Sequence, residues 1–232
     1  MDVLLNALED SKFVKVSNYS KLCVVNCVPG SGKSSLIRRI LKLDSRFTAY
    51  TFGVEDPKSE GFSRIKSICS FQESNKLVII DEYTQGDIST LKPCCVFGDP
   101  NQSVYEGLEP NFICEETKRF GKQTCELLRS FNFKIFSNKN DTVQIGDPFV
   151  TDPEGTLISI GSEAHDLATS HGLKPLKLEE FRGITCDIIT LLTSENTIPD
   201  DQRAEFYVAL TRHRTKLLIL CPNAIFCSSR QL

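Results

Sequence analysis

The sequence predicts an α/β protein of two lobes, each built around a parallel sheet. Short apolar runs alternate with segments of helical spacing along the whole chain, the pattern of strands joined by helical crossovers. The run Leu77-Val78-Ile79-Ile80 is apolar on both faces, as a strand buried inside a parallel sheet must be. The alternation breaks between Gly107 and Thr117, where Glu, Pro and Asn interrupt it, so the lobes are expected at 1–115 and 116–232.

The elements follow in order. Leu22-Cys23-Val24-Val25 reads as a strand, and Ser34 to Leu43 as a helix with Leu36, Ile37, Ile40 and Leu41 on one side. Phe47 to Phe52, Leu77 to Ile80 and Cys94 to Phe97 read as further strands. In the second half Gln123 to Phe131 has helical spacing and Leu157 to Ile160 is strand-like. Ser162 to His171 reads as a helix with Ser162 as its N-cap and Gly172 as its stop. Ile188 to Leu192 and Lys216 to Leu220 are strands, with a helix opening at Asp200 between them and running through Tyr207 and Leu210. The N-terminal Val3, Leu4, Leu5, Ala7 and Leu8 form an amphipathic stretch expected to cover the edge of the first core, with docking to a partner or membrane surface as the alternative.

Composition narrows the class. Lysine and arginine number 27 against 30 aspartate and glutamate, a net charge of −3, and neither half is basic. Any contact with nucleic acid must therefore come from local clusters. No apolar run approaches the ~18–20 residues of a membrane span. Ten cysteines are scattered without a C-x-x-C pair, and three histidines accompany them. Zinc sites need ligands paired at short spacing, so reduced and mostly buried thiols are expected. The histidines have no triad-like company in the sequence, and His213 reads as a neighbour of Arg212 rather than a catalyst.

Two motifs carry the chemistry. After the first strand comes Cys27-Val-Pro-Gly-Ser-Gly-Lys-Ser34, followed by a helix. Gly30 and Gly32 permit the turn that aims consecutive N–H groups at an anion, and the helix N-terminus adds to that cradle. Lys33 would reach the β and γ phosphates of ATP, and the Ser34 hydroxyl would hold Mg²⁺. Pro29, Gly30, Ser31, Gly32, Lys33, Ser34 and Ser35 are the expected ATP contacts. Cys27 stands where the usual pattern has its first glycine. The second motif is Val78-Ile-Ile-Asp-Glu-Tyr83. It places Asp81 and Glu82 at a strand's carboxyl end, where open α/β sheets bind ligands. Asp81 would hold Mg²⁺ and Glu82 would orient and deprotonate water.

A third element, Phe97-Gly98-Asp99-Pro100-Asn101-Gln102, completes an order that resembles motifs I, II and III of superfamily 1 helicases of alphavirus-like RNA viruses. Thr51-Phe-Gly-Val-Glu-Asp-Pro57 resembles motif Ia and Thr117-Lys-Arg-Phe120 motif IV. Phe181-Arg-Gly-Ile-Thr-Cys-Asp187 resembles motif V, and Tyr207-Val-Ala-Leu-Thr-Arg-His-Arg214 motif VI. The start MDVLLNAL and the D-E-Y-T wording bring the chain close to the first triple-gene-block movement proteins of potexviruses and carlaviruses.

The resemblance implies two RecA-like P-loop lobes with ATP and Mg²⁺ between them. It implies Gln102 as a γ-phosphate sensor, Arg119 and Arg212 as arginines that reach the phosphates, Gly183 as an ATP contact and Thr185 as an RNA contact. It also implies an RNA-helicase-type ATPase that carries viral RNA between plant cells and suppresses RNA silencing. The expected partners are single-stranded viral RNA, other viral movement proteins, coat protein and a homo-oligomer, and the expected location is the host cytoplasm at plasmodesmata. The alternative is an RNA-binding assembly factor and silencing suppressor with a vestigial ATPase. A nucleotide kinase shares the P-loop but not Gly98–Gln102 or Tyr207–Arg214.

For RNA, the candidate cations are Lys58, Arg64 and Lys66 after motif Ia, and Lys118 and Lys122 in a basic stretch that runs on to Lys139. Phe120, Phe131, Phe133 and Phe136 are interleaved in it, and core packing is the favoured reading for these rings over base stacking. Arg38, Arg39, Lys42 and Arg46 on the first helix read equally as plain solvated surface.

Overall fold

The computed structural model describes residues 1–58, 63–103, 107–181 and 183–228, with the Glu179 side chain excepted. The chain divides into two compact units, Met1–Glu115 and Glu116–Leu232.

The first unit runs α1 (Asp2–Asp10), β1 (Val14–Lys15), β2 (Cys23–Cys27), α2 (Lys33–Leu43), β3 (Phe47–Thr51), β4 (Ile65–Ser67), β5 (Leu77–Asp81), β6 (Cys95–Gly98) and β7 (Phe112–Cys114). Its seven-stranded sheet has the order β1-β7-β2-β6-β5-β3-β4. All neighbours are parallel except β1 with β7. The two-residue side-chain period decides which face each position covers. Cys23, Val25, Ile79 and Phe97 enter the core under α1 and α2, while Val24, Val78, Ile80 and Val96 enter the second core, with Tyr50 and Tyr83. Leu4, Ala7 and Leu8 of α1 are buried in the first core, so the N-terminal stretch covers it as expected. α2 buries Leu36, Ile37, Ile40 and Leu41.

Register then levels the strand ends. Asp81 pairs with Thr51 on β3 and with Phe97 on β6, and Asn26 of β2 pairs with Gly98. The loops that follow β2, β3, β5 and β6 therefore leave from one edge of the sheet.

The second unit runs α3 (Lys122–Ser130), β8 (Thr142–Gly146), β9 (Thr156–Ile160), α4 (Ser162–Ser170), α5 (Leu178–Phe181), β10 (Cys186–Thr193), α6 (Arg203–Leu210) and β11 (His213–Leu220). Its four strands are all parallel, in the order β8-β11-β10-β9. Leu192, Leu218 and Leu220 pack with Ala164 and Ala168 of α4, and the alternate residues Ile189, Leu191, Leu217 and Ile219 face the other way. Arg203 lies 3.9 Å over the Phe133 ring and donates to the Phe131 carbonyl at 2.6 Å, which ties α6 to the segment after α3.

Two expected helix starts move. Gly161, with φ 87°, is the N-cap of α4 and Ser162 is its first residue. Asp200 opens a 3-10 turn, and the α-helix begins only at Arg203. The strands β1, β4, β7 and β8 are absent from the sequence reading. Among the described residues no helix is long and apolar enough to cross a membrane. All ten cysteines are free thiols, six of them buried.

Gly98 shows how tightly the strand ends are packed. A Cβ there would lie 2.7 Å from the Tyr83 ring. Gly98→Ala is expected to cost ~1–3 kcal/mol through forced displacement of that ring, read as a lowered urea midpoint at unchanged m-value.

Candidate functional site

The loop between β2 and α2 is built for an anion. Gly30 and Gly32 take φ values of 77° and 96°, a region that favours glycine. No side chain caps α2 at Gly32, so no side-chain acceptor occupies its N-terminal end. Pro29 and Ser31 are buried, Gly30 and Ser34 half-buried and Ser35 exposed. The Ser31 N–H donates to the Val28 carbonyl at 3.2 Å, which closes the turn.

Lys33 leads from this loop to the end of β5. Its ammonium donates to Glu82 Oε1 at 2.6 Å and lies 2.9 Å from Asp81 Oδ1. Burial opposes the charge on Lys33, but Asp81 and Glu82 outweigh it and raise its pKa. Burial raises the Asp81 pKa; Lys33 pulls it down and Glu82 pushes it up. Two carboxylates thus share one ammonium. Glu82 has left-handed backbone angles, φ 55° and ψ 42°, unusual for a residue with a Cβ. Its N–H donates to Asp81 Oδ1 at 3.0 Å.

The Gly98–Gln102 segment lies beside them. Gln102 is buried, and its Nε2 donates to Asp99 Oδ2 at 3.0 Å, while the Asn101 N–H donates to Asp99 Oδ1 at 3.1 Å. Burial pushes the Asp99 pKa up to about 6, against these two hydrogen bonds and with help from Glu82. The Tyr83 hydroxyl donates to Asn26 Oδ1 at 2.8 Å and accepts from the Leu108 N–H at 3.0 Å, which links motif II to β2. Asp99, inside the Phe97–Gln102 motif, and Asn26, near the end of β2, join the site through these bonds, and no local spacing announces the one to Asn26.

Cys27 is the last residue of β2, buried opposite Cys114. Burial pushes its thiol up to about 12, against the pull of Lys33 and a hydrogen bond with Ser31. The thiol is neutral and is part of the core.

In the second unit, Arg119 Nη1 donates to the Thr211 carbonyl at 3.1 Å, directly before Arg212. The Arg119 N–H donates to Thr117 Oγ1 at 3.2 Å. The Arg212 carbonyl accepts from the Cys186 N–H at 3.0 Å, and Arg212 is largely buried. Both arginines therefore sit at the edge where β10 and β11 begin. Gly183 is exposed, with φ 84°, and Thr185 is half-buried, both just before β10. Arg182 of motif V lies outside the described residues.

His213 is a correction. It has a partner set after all: Nε2 lies 2.9 Å from Thr124 Oγ1 and 3.3 Å from Asp141 Oδ2, with both His213 and Asp141 side chains fully buried. Neither partner is near it in sequence, so no local spacing could have announced it.

Among the RNA candidates, Arg64 is ion-paired to Glu55 at 2.8 Å and also donates to the Asp56 carbonyl, so its guanidinium is engaged within the lobe. Lys66 lies 5.8 Å from the Tyr50 ring, and Lys58, Lys118 and Lys122 are exposed. Phe120, Phe131 and Phe133 are core, as favoured, whereas Phe136 is 44% exposed. Arg38, Arg39 and Arg46 are paired to Asp56, Asp10 and Asp44.

The donors suit magnesium. Ser34 and Asp81 offer hard oxygens, and Mg²⁺ binds through one or two such groups with water and phosphate oxygens completing the shell. Among the described residues no group of three or more His, Cys, Asp or Glu forms an all-protein metal cage.

A glycine-bent loop at a helix start, a lysine, and paired carboxylates at the end of the parallel strand β5, two places from β2, make up the architecture of a P-loop on a RecA-like sheet. The sequence profile of the viral superfamily 1 RNA helicase core domain matches residues 23–221. The movement and silencing protein TGBp1 of Poplar mosaic virus is 46% identical over 232 residues, covering 99% of this chain and 100% of the relative. That of Lily symptomless virus is 40% identical over 231 residues, with 99% and 100% covered. The chain belongs to the viral superfamily 1 RNA helicase family and, within it, to the triple-gene-block movement and silencing proteins. Among solved structures, an arterivirus nonstructural protein 10 helicase in complex with DNA aligns with a TM-score of 0.54 at 17% identity, covering 94% of this chain. The chain spans 56% of that structure's length. This likeness shows the fold, with two RecA-like lobes.

The raised Asp99 pKa predicts a pH dependence. An unfolded Asp titrates near ~3.9. Between that pH and about 6 the folded chain keeps a proton that the unfolded chain has lost, so this group's contribution to stability falls as pH rises and is level above about 6. Asp99→Asn removes the dependence. Relative to the wild type it is expected to gain on the order of 1–3 kcal/mol between pH 4 and pH 7, measured by urea unfolding at each pH.

Proposed function

We propose that the chain is an RNA-stimulated ATPase that moves single-stranded viral RNA. The observation that carries this reading is Lys33 held between Asp81 and Glu82 at the mouth of the phosphate loop. An incoming triphosphate competes with the two carboxylates for the Lys33 ammonium. When Lys33 turns to the phosphates, Glu82 is released to orient and deprotonate a water molecule. Ser34 and Asp81 would hold Mg²⁺, which when bound neutralises phosphate charge. Pro29 to Ser35 surround the phosphates, and Gln102, oriented by Asp99, offers its amide to the γ-phosphate. From the second lobe, Arg119 and Arg212 supply positive charge to the phosphates in the manner of arginine fingers, and Gly183 lies against the nucleotide.

RNA contact is proposed for Lys58, Lys66, Lys118, Lys122 and Thr185, with Phe136 as a stacking surface. The protein acts in the host cytoplasm and at plasmodesmata with other viral movement proteins and coat protein. Cell-to-cell movement, silencing suppression and self-association are part of the same reading, supported by the names of the relatives for movement and silencing.

The deciding experiment is ATP turnover by the purified chain with and without single-stranded RNA. Lys33→Ala and Arg212→Ala are expected to abolish stimulated turnover. Glu82→Gln is expected to keep nucleotide binding and lose roughly 10²–10⁴-fold in kcat, the usual span for a general base. Turnover intact in Lys33→Ala would end the reading. RNA binding without turnover in the wild type would leave the assembly-factor alternative in its place. For the RNA surface, Phe136→Ala is expected to weaken binding by about 1–3 kcal/mol if one base stacks there, read by fluorescence anisotropy at fixed salt.

A further inference from the structure

The segments that carry Arg119 and Arg212 meet around a buried polar trio. Asp141 precedes β8, Thr124 lies in the first turn of α3, and His213 opens β11. His213 Nε2 faces both Thr124 Oγ1, at 2.9 Å, and Asp141 Oδ2, at 3.3 Å. Asp141 Oδ1 accepts the Gln123 N–H at 2.9 Å, so the same carboxylate fixes the start of α3. Burial alone would raise the Asp141 pKa, but hydrogen bonds from His213, Thr124, Gly121 and Gln123 outweigh it and hold the group down at about 2. Asp141 is thus ionised at any physiological pH.

The surroundings are apolar. Phe120, Cys125 and Leu128 are fully buried, and the Phe120 ring lies tilted against the imidazole with centroids 5.6 Å apart. Sinking an ionised carboxylate and an imidazole into such a core is costly, and apolar residues of similar volume often serve stability as well or better. The trio does one thing that apolar residues cannot do: it fixes register by direction and distance. Gly121 allows this close approach, since a Cβ there would lie 2.6 Å from Asp141 Oδ1.

We propose that His213, Asp141 and Thr124 are positioning residues that lock the two phosphate-directed arginines into one frame. Arg119 is two residues before Gly121, and Arg212 is bonded to His213. Other ties bind the same frame: Arg119 to the Thr211 carbonyl, and Thr211 Oγ1 to the Tyr207 carbonyl at 2.8 Å. The trio sets the backbone height of His213 against α3, and the Arg212 side chain leaves from the adjoining Cα. A loosened His213 lets Arg212 drift while the P-loop, on the other unit, is untouched. The proposal rests on the reading of Arg119 and Arg212 as phosphate ligands during hydrolysis.

The test uses the full chain in RNA-stimulated ATPase assays, with His213→Ala, His213→Gln, Asp141→Asn and Thr124→Val beside Arg212→Ala. A misplacement of about 1 Å costs on the order of 10²-fold in rate. His213→Ala is accordingly expected to lower kcat roughly 10–100-fold with the KM for ATP within about threefold. His213→Gln, whose amide can donate to Asp141, is expected to recover most of that loss. A lowered Tm with wild-type kcat in His213→Ala would overturn the proposal, because the trio would then serve stability alone. Should His213→Ala not fold, Asp141→Asn and Thr124→Val carry the same comparison, and wild-type kcat in both overturns it equally. Full turnover in Arg212→Ala would instead bring down the arginine reading, and this proposal with it. An inactive Arg212→Ala beside a fully active His213→Ala would sink only the positioning role.

Discussion

One half-buried ammonium between two carboxylates organises the first lobe. Lys33 begins α2, Asp81 ends β5 and Glu82 directly follows it, so the ion cluster pins a helix start to a strand end. Removing the cation would leave two like charges together with only Asp81 buried, a loss below the ~3–5 kcal/mol of a fully buried pair. The carboxylates in turn need the strand register that puts Asp81 level with Thr51 and Phe97. Fold and chemistry therefore share a constraint: the parallel sheet brings the groups to one edge, and the charges hold that edge closed.

The two lobes use their sheets in opposite senses. The first places its chemistry where strands end, with loop N–H groups, a lysine and carboxylates. The second places arginines where strands begin, Cys186 and His213 being the first residues of β10 and β11. The first edge thus sets a cation between two carboxylates, and the second carries two guanidinium groups.

The motif residues were legible because their chemistry is local. Gly30, Gly32, Lys33 and Ser34 follow one another in a single turn, and Asp81 and Glu82 end an unmistakably apolar strand. The parallel sheets were legible for the same reason. The short strands were not: Val14–Lys15 is solvent-exposed, and Ile65–Ser67 holds three residues, too few for a period to show. The α4 start was misplaced because Gly161, with its positive φ, takes the capping position that Ser162 would suit chemically. The pairing of Arg64 with Glu55 was not legible, because the two lie nine residues apart with no helical spacing to suggest it. His213 and Asp141 are 72 residues apart, and only the folded sheet joins them.

Cys27 carries a consequence for how far the phosphate-loop signature extends. At this position the backbone is the last step of β2 and does not take the positive φ of Gly30 and Gly32. The side chain fills space beneath the sheet opposite Cys114. A glycine here would bring no freedom the turn requires and would leave a void where sulfur now packs. The first position of the signature thus answers to the hydrophobic interior, and the anion answers to the residues after it. Motif searches that insist on glycine at that point discard chains whose binding loop is whole.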